Sequence, residues 1–177
     1  MATAAAVFAW GALASPGAGA VTATASITAG SLAFVSSPSA ISFAATLNGA
    51  DQNVTSAQTF DVGDATGSGT GWNITATSTT FTTGTHSLGT SATTVTSAPT
   101  VACDSGATCS TATNAISYPY ALPAATTAPT ATKLYNAAAN SGMGKQTVTA
   151  TFSLALPANT YAGSYTSTWT YSLASAP

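Results

Sequence analysis

QTVTATFSLAL, residues 146–156, places an apolar side chain at every second position from Val148 to Leu156. Successive side chains of a β-strand point to opposite faces of the sheet, so Val148, Phe152 and Leu154 share one face here. A run with this period of two is typical of a strand that buries one face in a core. Pro157-Ala158-Asn159 follows and ends the pattern. The stretch therefore predicts a long strand and a β-sheet core.

The same alternation recurs along the rest of the chain. Asn48-Gly49 adds a hairpin turn signal, because both residues tolerate the left-handed backbone that a tight turn needs. About seven or more strands with regular turns predict an all-β fold, a single antiparallel β-sandwich of Greek-key type. The expected strands are 21–28 (apolar members Val21, Ala23, Ala25 and Ile27), 41–47, 54–62, one that starts at Trp72 with Ile74 and Ala76, and a closing strand with Tyr165, Trp169, Tyr171 and Leu173 on one face.

Two regions lack a clear strand pattern. Residues 81–125 are rich in Thr and Ser and predict short strands with long connections. Residues 131–139 are rich in Ala and are the best candidate for a helix of one or two turns. No fixed-period repeat and no linker divides the chain, so we expect one domain over residues 21–177.

The composition restricts the classes of partner. Only 3% of the residues are charged, the formal net charge is −2, and the two cationic residues are Lys133 and Lys145. Nucleic acids and anionic lipid surfaces require several Lys or Arg on one face, so neither is an expected partner. Because like-charged surfaces keep proteins apart, so few charges also favour association of the chain with copies of itself.

The amino terminus and the cysteines both indicate export. A short apolar run at 4–13 precedes Ala18-Gly19-Ala20, a signal-peptidase pattern, so residues 1–20 are predicted to be a cleaved signal peptide. Cys103 and Cys109 are the only two cysteines, too few for a zinc site, and their close spacing predicts a disulfide loop. Disulfides require an oxidising compartment. An extracellular location follows.

The residues that could carry out catalysis do not form a recognisable site. His86 lies in Gly-Thr-His-Ser, which is typical of a turn, and no Gly-x-Ser-x-Gly elbow accompanies it. Asp61 and Asp64 precede a Gly-rich turn, where such side chains cap backbone amides more readily than they bind calcium. We therefore expect no enzyme activity, no cofactor, no metal site and no small-molecule substrate.

The aromatic residues Trp72 and Trp169 each precede a second large side chain by two positions, Ile74 and Tyr171 respectively. Large rings in a sandwich pack in the core by default, but exposed rings could form a platform for a glycan polymer. Periodicity alone leaves both interpretations open.

These two segments carry a family resemblance. DATGSGTGWNI, residues 64–74, resembles the first signature of WxL-domain surface proteins, and PANTYAGSYTSTWTYSL, residues 157–173, is similar to the second. The resemblance implies a secreted β-sandwich that attaches noncovalently to the cell wall of Gram-positive bacteria, with peptidoglycan as the ligand and a structural or adhesive role. Trp72, Ile74, Trp169 and Tyr171 occupy the motif positions. Tyr171 departs from the family by standing where leucine is expected, and Ile74 replaces leucine in the first motif.

Two alternatives concern assembly. The hairpin 161–173 is also similar to the closing strands of pilin-like and spore-coat-like sandwiches, so the chain could be a fibre subunit assembled by strand exchange. The donated strand would be 21–28, through Val21, Ala23, Ala25 and Ile27. In the second alternative, residues 4–13 are retained as a helix packed in a filament core.

Overall fold

The computed structural model describes residues 20–177, and these residues form ten β-strands and no helix. None of them lies in a helix that could cross a membrane. The strands are β1 Leu32–Phe34, β2 Gln52–Asp64, β3 Trp72–Thr79, β4 Thr93–Val95, β5 Thr100–Cys103, β6 Tyr120–Ala121, β7 Ala124–Ala125, β8 Thr132–Ala137, β9 Gly144–Leu156 and β10 Trp169–Ser175.

The long strand β9 is the centre of a six-stranded sheet. β2 pairs with it antiparallel over its full length, from Gln52 opposite Leu156 to Asp64 opposite Gly144. On its other side β9 pairs with β4 and then with β5, while β1 and β6 extend the sheet beyond β2 and β4. The alternating stretch that decides the fold is thus a strand with three neighbours, β2, β4 and β5.

The second sheet has four strands and is built around β3. β10 pairs with β3 antiparallel along its whole length, and β8 pairs with the opposite edge of β3. β7 pairs with β3 in parallel, so the sandwich is antiparallel except at this short contact. Because only β3 joins β10 to the other strands, β10 lies at the edge of this sheet.

The core lies between the two sheets. Along β2 and β9 the even-numbered side chains are turned inward, and Phe60 and Phe152 are fully buried. Ile74 and Ala76 of β3 meet them from the second sheet. This arrangement confirms the predicted all-β sandwich, because each sheet buries one apolar face against the other.

The strands predicted at 54–62, from Trp72 and at 146–156 are confirmed. The closing strand is confirmed for Trp169, Tyr171 and Leu173, whereas Tyr165 lies before β10 and outside any strand. The helix predicted at 131–139 is wrong, since residues 132–137 form strand β8 and pair with β3. The strand predicted at 41–47 is also wrong. This segment is irregular, although Ile41 and Phe43 pack against the core. The chain bends at Asn48-Gly49, where Gly49 has a φ of 82° and the Ala50 amide donates to Asn48 Oδ1, but no hairpin forms because no strand precedes the bend.

Residues 21–28 form no strand within the sandwich of their own chain. Every side chain from 20 to 31 is exposed, with Val21 at 93% and Ile27 at 94%. The expected strand here is therefore wrong for the single chain, because no neighbouring strand pairs with it. The predicted signal segment, and with it the alternative of a retained helix, lies outside the described residues except for Ala20.

Candidate functional site

The first motif lies in the core. Trp72 and Ile74 are fully buried, and the Trp72 ring packs on Tyr135 with 5.7 Å between the ring centroids. The Trp72 indole Nε1 donates a hydrogen bond of 2.9 Å to the carbonyl oxygen of Gly142. Of the two interpretations of this motif, core packing therefore holds for Trp72 and Ile74. Neither side chain can touch a ligand.

A glycine at position 142 allows the backbone to approach the Trp72 indole closely. Its φ is +82°, a conformation that side chains rarely adopt, and a Cβ there would lie 2.5 Å from Trp72 Nε1. Only glycine brings the backbone this close to the indole.

A buried hydrogen-bond network closes this end of the sandwich. Gln146 is fully buried, and its Oε1 accepts a 2.8 Å bond from the amide of Ala112. Its Nε2 donates to the carbonyl oxygens of Ser110 and Met143. The Tyr135 hydroxyl donates to the Ala112 carbonyl at 3.0 Å, and burial raises the pKa of Tyr135 to about 12. We call this region, residues 64–72, 103–113 and 137–146, the closed end.

The disulfide lies at the closed end as well. Cys103 and Cys109 are bonded, which confirms the predicted pairing. Asp104 within the loop accepts a 2.7 Å hydrogen bond from the Thr147 hydroxyl of β9, so the loop is fastened to the sheet by a second contact. Asp64 caps the turn after β2 by accepting from the Thr66 amide, as predicted, whereas Asp61 has no such bond and one of its oxygens is buried without a partner among the described residues.

The second motif is half-buried. Trp169 packs edge-on against Phe152 at 5.0 Å, and Tyr171 packs edge-on against Phe60 at 4.8 Å. Within the described residues, Trp169 Nε1 and the Tyr171 hydroxyl are buried and have no hydrogen-bond partner. Burial raises the pKa of Tyr171. Both rings thus belong partly to the core, and their role in binding stays a prediction.

The structure does not bring the two motifs together. Trp72 lies opposite Ser175 and Trp169 lies opposite Ser78 in the antiparallel pair of β3 and β10. At ~3.3 Å per residue, this places the backbones of the two tryptophans about 20 Å apart along the strands. They cannot form one aromatic platform.

A different set of rings lies at the far end of the sandwich from the disulfide. Two adjoining cavities, of about 420 and 320 Å³, share Thr160, Tyr161 and Tyr165 in their walls. We call the two together the aromatic groove. Its remaining rings and principal apolar side chains are Phe43, Phe81, His86, Leu47, Leu88, Leu154 and Leu156.

Tyr161 is the most accessible ring of the aromatic groove, with 62% of its surface exposed. His86 stacks on it, with 3.7 Å between centroids and 6° between the planes. His86 lies in a turn as predicted, since the Thr83 amide donates to the His86 carbonyl. The pair forms a flat surface on the rim of the groove.

Backbone contacts hold the rim in position. The amide of Ala158 donates a 2.7 Å bond to Asp51, and the Thr160 amide donates to the carbonyl of Pro157. The Tyr165 hydroxyl donates to the Tyr161 carbonyl at 3.1 Å. The turn that breaks the pattern after β9 therefore serves to present Tyr161.

The aromatic groove is uncharged. Among the described residues that line it, none is Asp, Glu, Lys or Arg. Lys145 lies near the closed end in β9, and Lys133 lies in β8 of the other sheet. The groove lining therefore has no Lys or Arg that could attract a polyanion.

A third cavity, of about 400 Å³, runs beside β10. Pro38 to Ile41 form one wall, and Trp169 and Tyr171 form the other. We call it the β10 cleft. Sequence analysis named Trp169 and Tyr171 as candidate binding residues, whereas it placed His86 in a turn and gave Tyr161 and Phe81 no role in binding. Their contact depends on loops that are distant in sequence.

Comparison with known proteins gives one match. The family model described as "WxL domain surface cell wall-binding" matches residues 17–177, which is nearly the whole chain. No curated protein and no solved structure matches the chain. The match confirms the resemblance carried by residues 64–74 and 157–173. The chain belongs to the WxL-domain family, and it is an extracellular cell-surface protein that binds the cell wall.

Proposed function

We propose that the protein holds a neutral, N-acetylated glycan strand of peptidoglycan noncovalently in the aromatic groove. It acts there as a structural or adhesive part of the surface and carries out no reaction. The observation that carries this proposal is the uncharged groove at one end of the sandwich, with an exposed aromatic stack on its rim.

The shape and polarity of the groove fit a sugar. Binding sites for small ligands are concave, mostly apolar, and contain a few polar groups that orient the ligand. The apolar C–H face of a pyranose would pack on the outer face of the Tyr161 ring, which His86 leaves open. The Thr160 hydroxyl can donate or accept, and the Tyr165 hydroxyl, which donates to the Tyr161 carbonyl, can still accept. An acetamido methyl would pack against Leu154 or Leu156 on the groove wall.

The charge distribution favours the glycan over the other wall polymers. Teichoic acids carry a phosphate in every repeat, and phosphate recognition relies on Arg and Lys. The peptide stems of peptidoglycan present carboxylates, which have the same requirement. Because no cation lines the groove, a neutral sugar is the component whose desolvation costs least.

Sedimentation with cell-wall sacculi tests the proposal. We expect sacculi stripped of teichoic acids to deplete the protein as well as untreated sacculi do, and soluble N-acetylated glycan fragments to compete. Free stem peptides should not compete. Loss of depletion after stripping, or competition by peptides alone, would contradict a neutral glycan ligand.

The variant Tyr161→Ala tests whether the glycan binds in the aromatic groove. Its side chain is mostly exposed, so truncation should leave the fold intact. Val35→Ala is the matched control, because Val35 is also an exposed apolar residue, at 47%, and lies outside the groove. Equal depletion of both variants would show that the glycan binds elsewhere.

A further inference from the structure

We propose that residues 21–28 of one copy of this chain add as a β-strand to the free edge of β10 in a second copy. The cleft that this strand would enter borders the aromatic groove and shares Ile41, Phe81 and Tyr165 with it. Association is measured on the chain without glycan, so the proposal stands or falls independently of wall binding.

The first observation is the edge itself. The Thr79 amide donates to the Thr168 carbonyl, and the Ala176 amide donates to the Gly71 carbonyl. With the register of β3 and β10, these bonds assign the backbone groups of the even-numbered β10 residues to β3. The amides and carbonyls of Trp169, Tyr171 and Leu173 then point away from β3, and none of them has a backbone hydrogen bond among the described residues. Strand β1 lies close to β10 but does not pair with it.

The second observation is that β10 itself carries no charge, proline or bulge, and that residues 38–41 beside it leave a cleft rather than a closed cover. Natural edge strands are blunted by Lys, Pro, a bulge or a covering element. β10 reads WTYSLAS, with no charge and no proline, and its pairing with β3 is regular over its whole length. Such an edge is a template for another strand.

The third observation is the donor. Residues 21–28 alternate apolar and polar side chains, carry no charge, and form no strand in their own sandwich. Val21 and Ile27 are almost fully exposed. A segment with the pattern of a half-buried strand, but nothing to bury it, lacks a partner sheet.

The β10 cleft supplies the surface that such a strand would cover. In an added strand, alternate side chains fit pockets beside the edge, and the main chain forms the ladder. Ala23, Ala25 and Ile27 would enter the cleft between Ile41 and the rings of Trp169 and Tyr171. Ser26 and Thr24 would face solvent. Since each copy has one donor and one acceptor, the contact is head-to-tail and produces closed rings or open chains.

The alternation provides a matched pair of variants. Ile27→Asp would bury a carboxylate without a partner, so association should weaken by more than about tenfold. Ser26→Asp adds the same charge one residue away on the solvent face, so its association should match that of the wild type. Both substitutions lie in a segment without described contacts, so the melting temperature at low concentration should be unchanged.

Light scattering over a wide concentration range, with hydrogen exchange of the β10 amides, gives the readout on the full chain. We expect the wild-type mass to rise with concentration and the amides of Trp169, Tyr171 and Leu173 to become protected as it rises. A synthetic peptide of residues 21–28 should block this association, and a peptide with the apolar and polar positions exchanged should not.

Three results would overturn the proposal. A chain that stays monomeric at every concentration would show that no copy accepts the strand. Equal loss of association in Ile27→Asp and Ser26→Asp would show that the added charge weakens association whichever face of the strand carries it. Protection of the β10 amides in a monomer would show that the segment pairs with its own sheet.

Discussion

The two ends of the sandwich differ in how their loops pack. At the closed end, buried side chains such as Trp72 and Gln146 bond to loop backbone, and a disulfide adds a covalent link. At the other end, the loops leave a groove with uncharged walls and an exposed Tyr161. The difference indicates that one end maintains the fold, whereas the other is available for binding. A rigid scaffold that presents a binding surface on loops is a common division of roles.

The largest expected effect is the loss of stability that follows a substitution at the closed end. Trp72→Ala should lower the free energy of unfolding by about 3–5 kcal/mol, because it leaves a cavity and an unpaired Gly142 carbonyl. Chemical denaturation measures it. Trp169→Ala is the matched control, and since Trp169 is only half-buried and makes no hydrogen bond to a described residue, its loss should be smaller. A larger loss for Trp169→Ala would reverse the assignment of the two ends.

Removing the disulfide should cost less. The double variant Cys103→Ser, Cys109→Ser is expected to lose about 2 kcal/mol, because opening so short a loop restores limited entropy to the unfolded chain. Thermal melts with and without reductant measure the change, and the reductant should affect only the wild type. Wall binding should be retained in the folded variant, because the disulfide and the aromatic groove lie at opposite ends. Loss of binding by a folded double variant would contradict this separation.

Tyr161→Ala should weaken binding to the cell wall and leave the stability of the fold unchanged. We expect about 3–10-fold weaker binding to sacculi, since one aromatic contact contributes about 0.5–1.5 kcal/mol. The melting temperature should match that of the wild type, because the ring is mostly exposed. A large drop in melting temperature would show that the groove end contributes to the fold as the closed end does.

The smallest effect concerns pH. Desolvation raises the pKa of Asp61, and the charge and hydrogen bond of Asp104 raise it further, while Lys145 lowers it. The folded state therefore holds this proton more tightly than the unfolded state, so its contribution is fully present below about pH 3.8 and is lost as pH rises through the folded pKa. Asp61→Asn should flatten this part of the stability profile and raise stability at neutral pH. A thermal melt at several pH values measures it, and an unchanged slope would contradict the assignment to Asp61.

The sequence determined the strands that bury a face, because alternation of apolar side chains is a local property. Residues 146–156 needed no tertiary information to be recognised as a strand, and the spacing of Cys103 and Cys109 was enough for their pairing. The two motifs, at residues 64–74 and 157–173, were also sufficient to predict the family. Composition alone excluded nucleic acid as an expected partner, since two lysines cannot hold a phosphate backbone.

Only the tertiary structure decided which alternating segments become strands and which rings form a surface. Residues 131–139 look helical by the alanines at their two ends, but pairing of residues 132–137 with β3 overrides that weak propensity. Residues 21–28 and 41–47 have the period of strands and form none, because alternation reports an amphipathic segment and not the presence of a partner edge. Tyr161 and His86 stack although they are far apart in sequence. Their contact arises from the folding of two loops over the end of the sandwich, a long-range arrangement that no local pattern encodes.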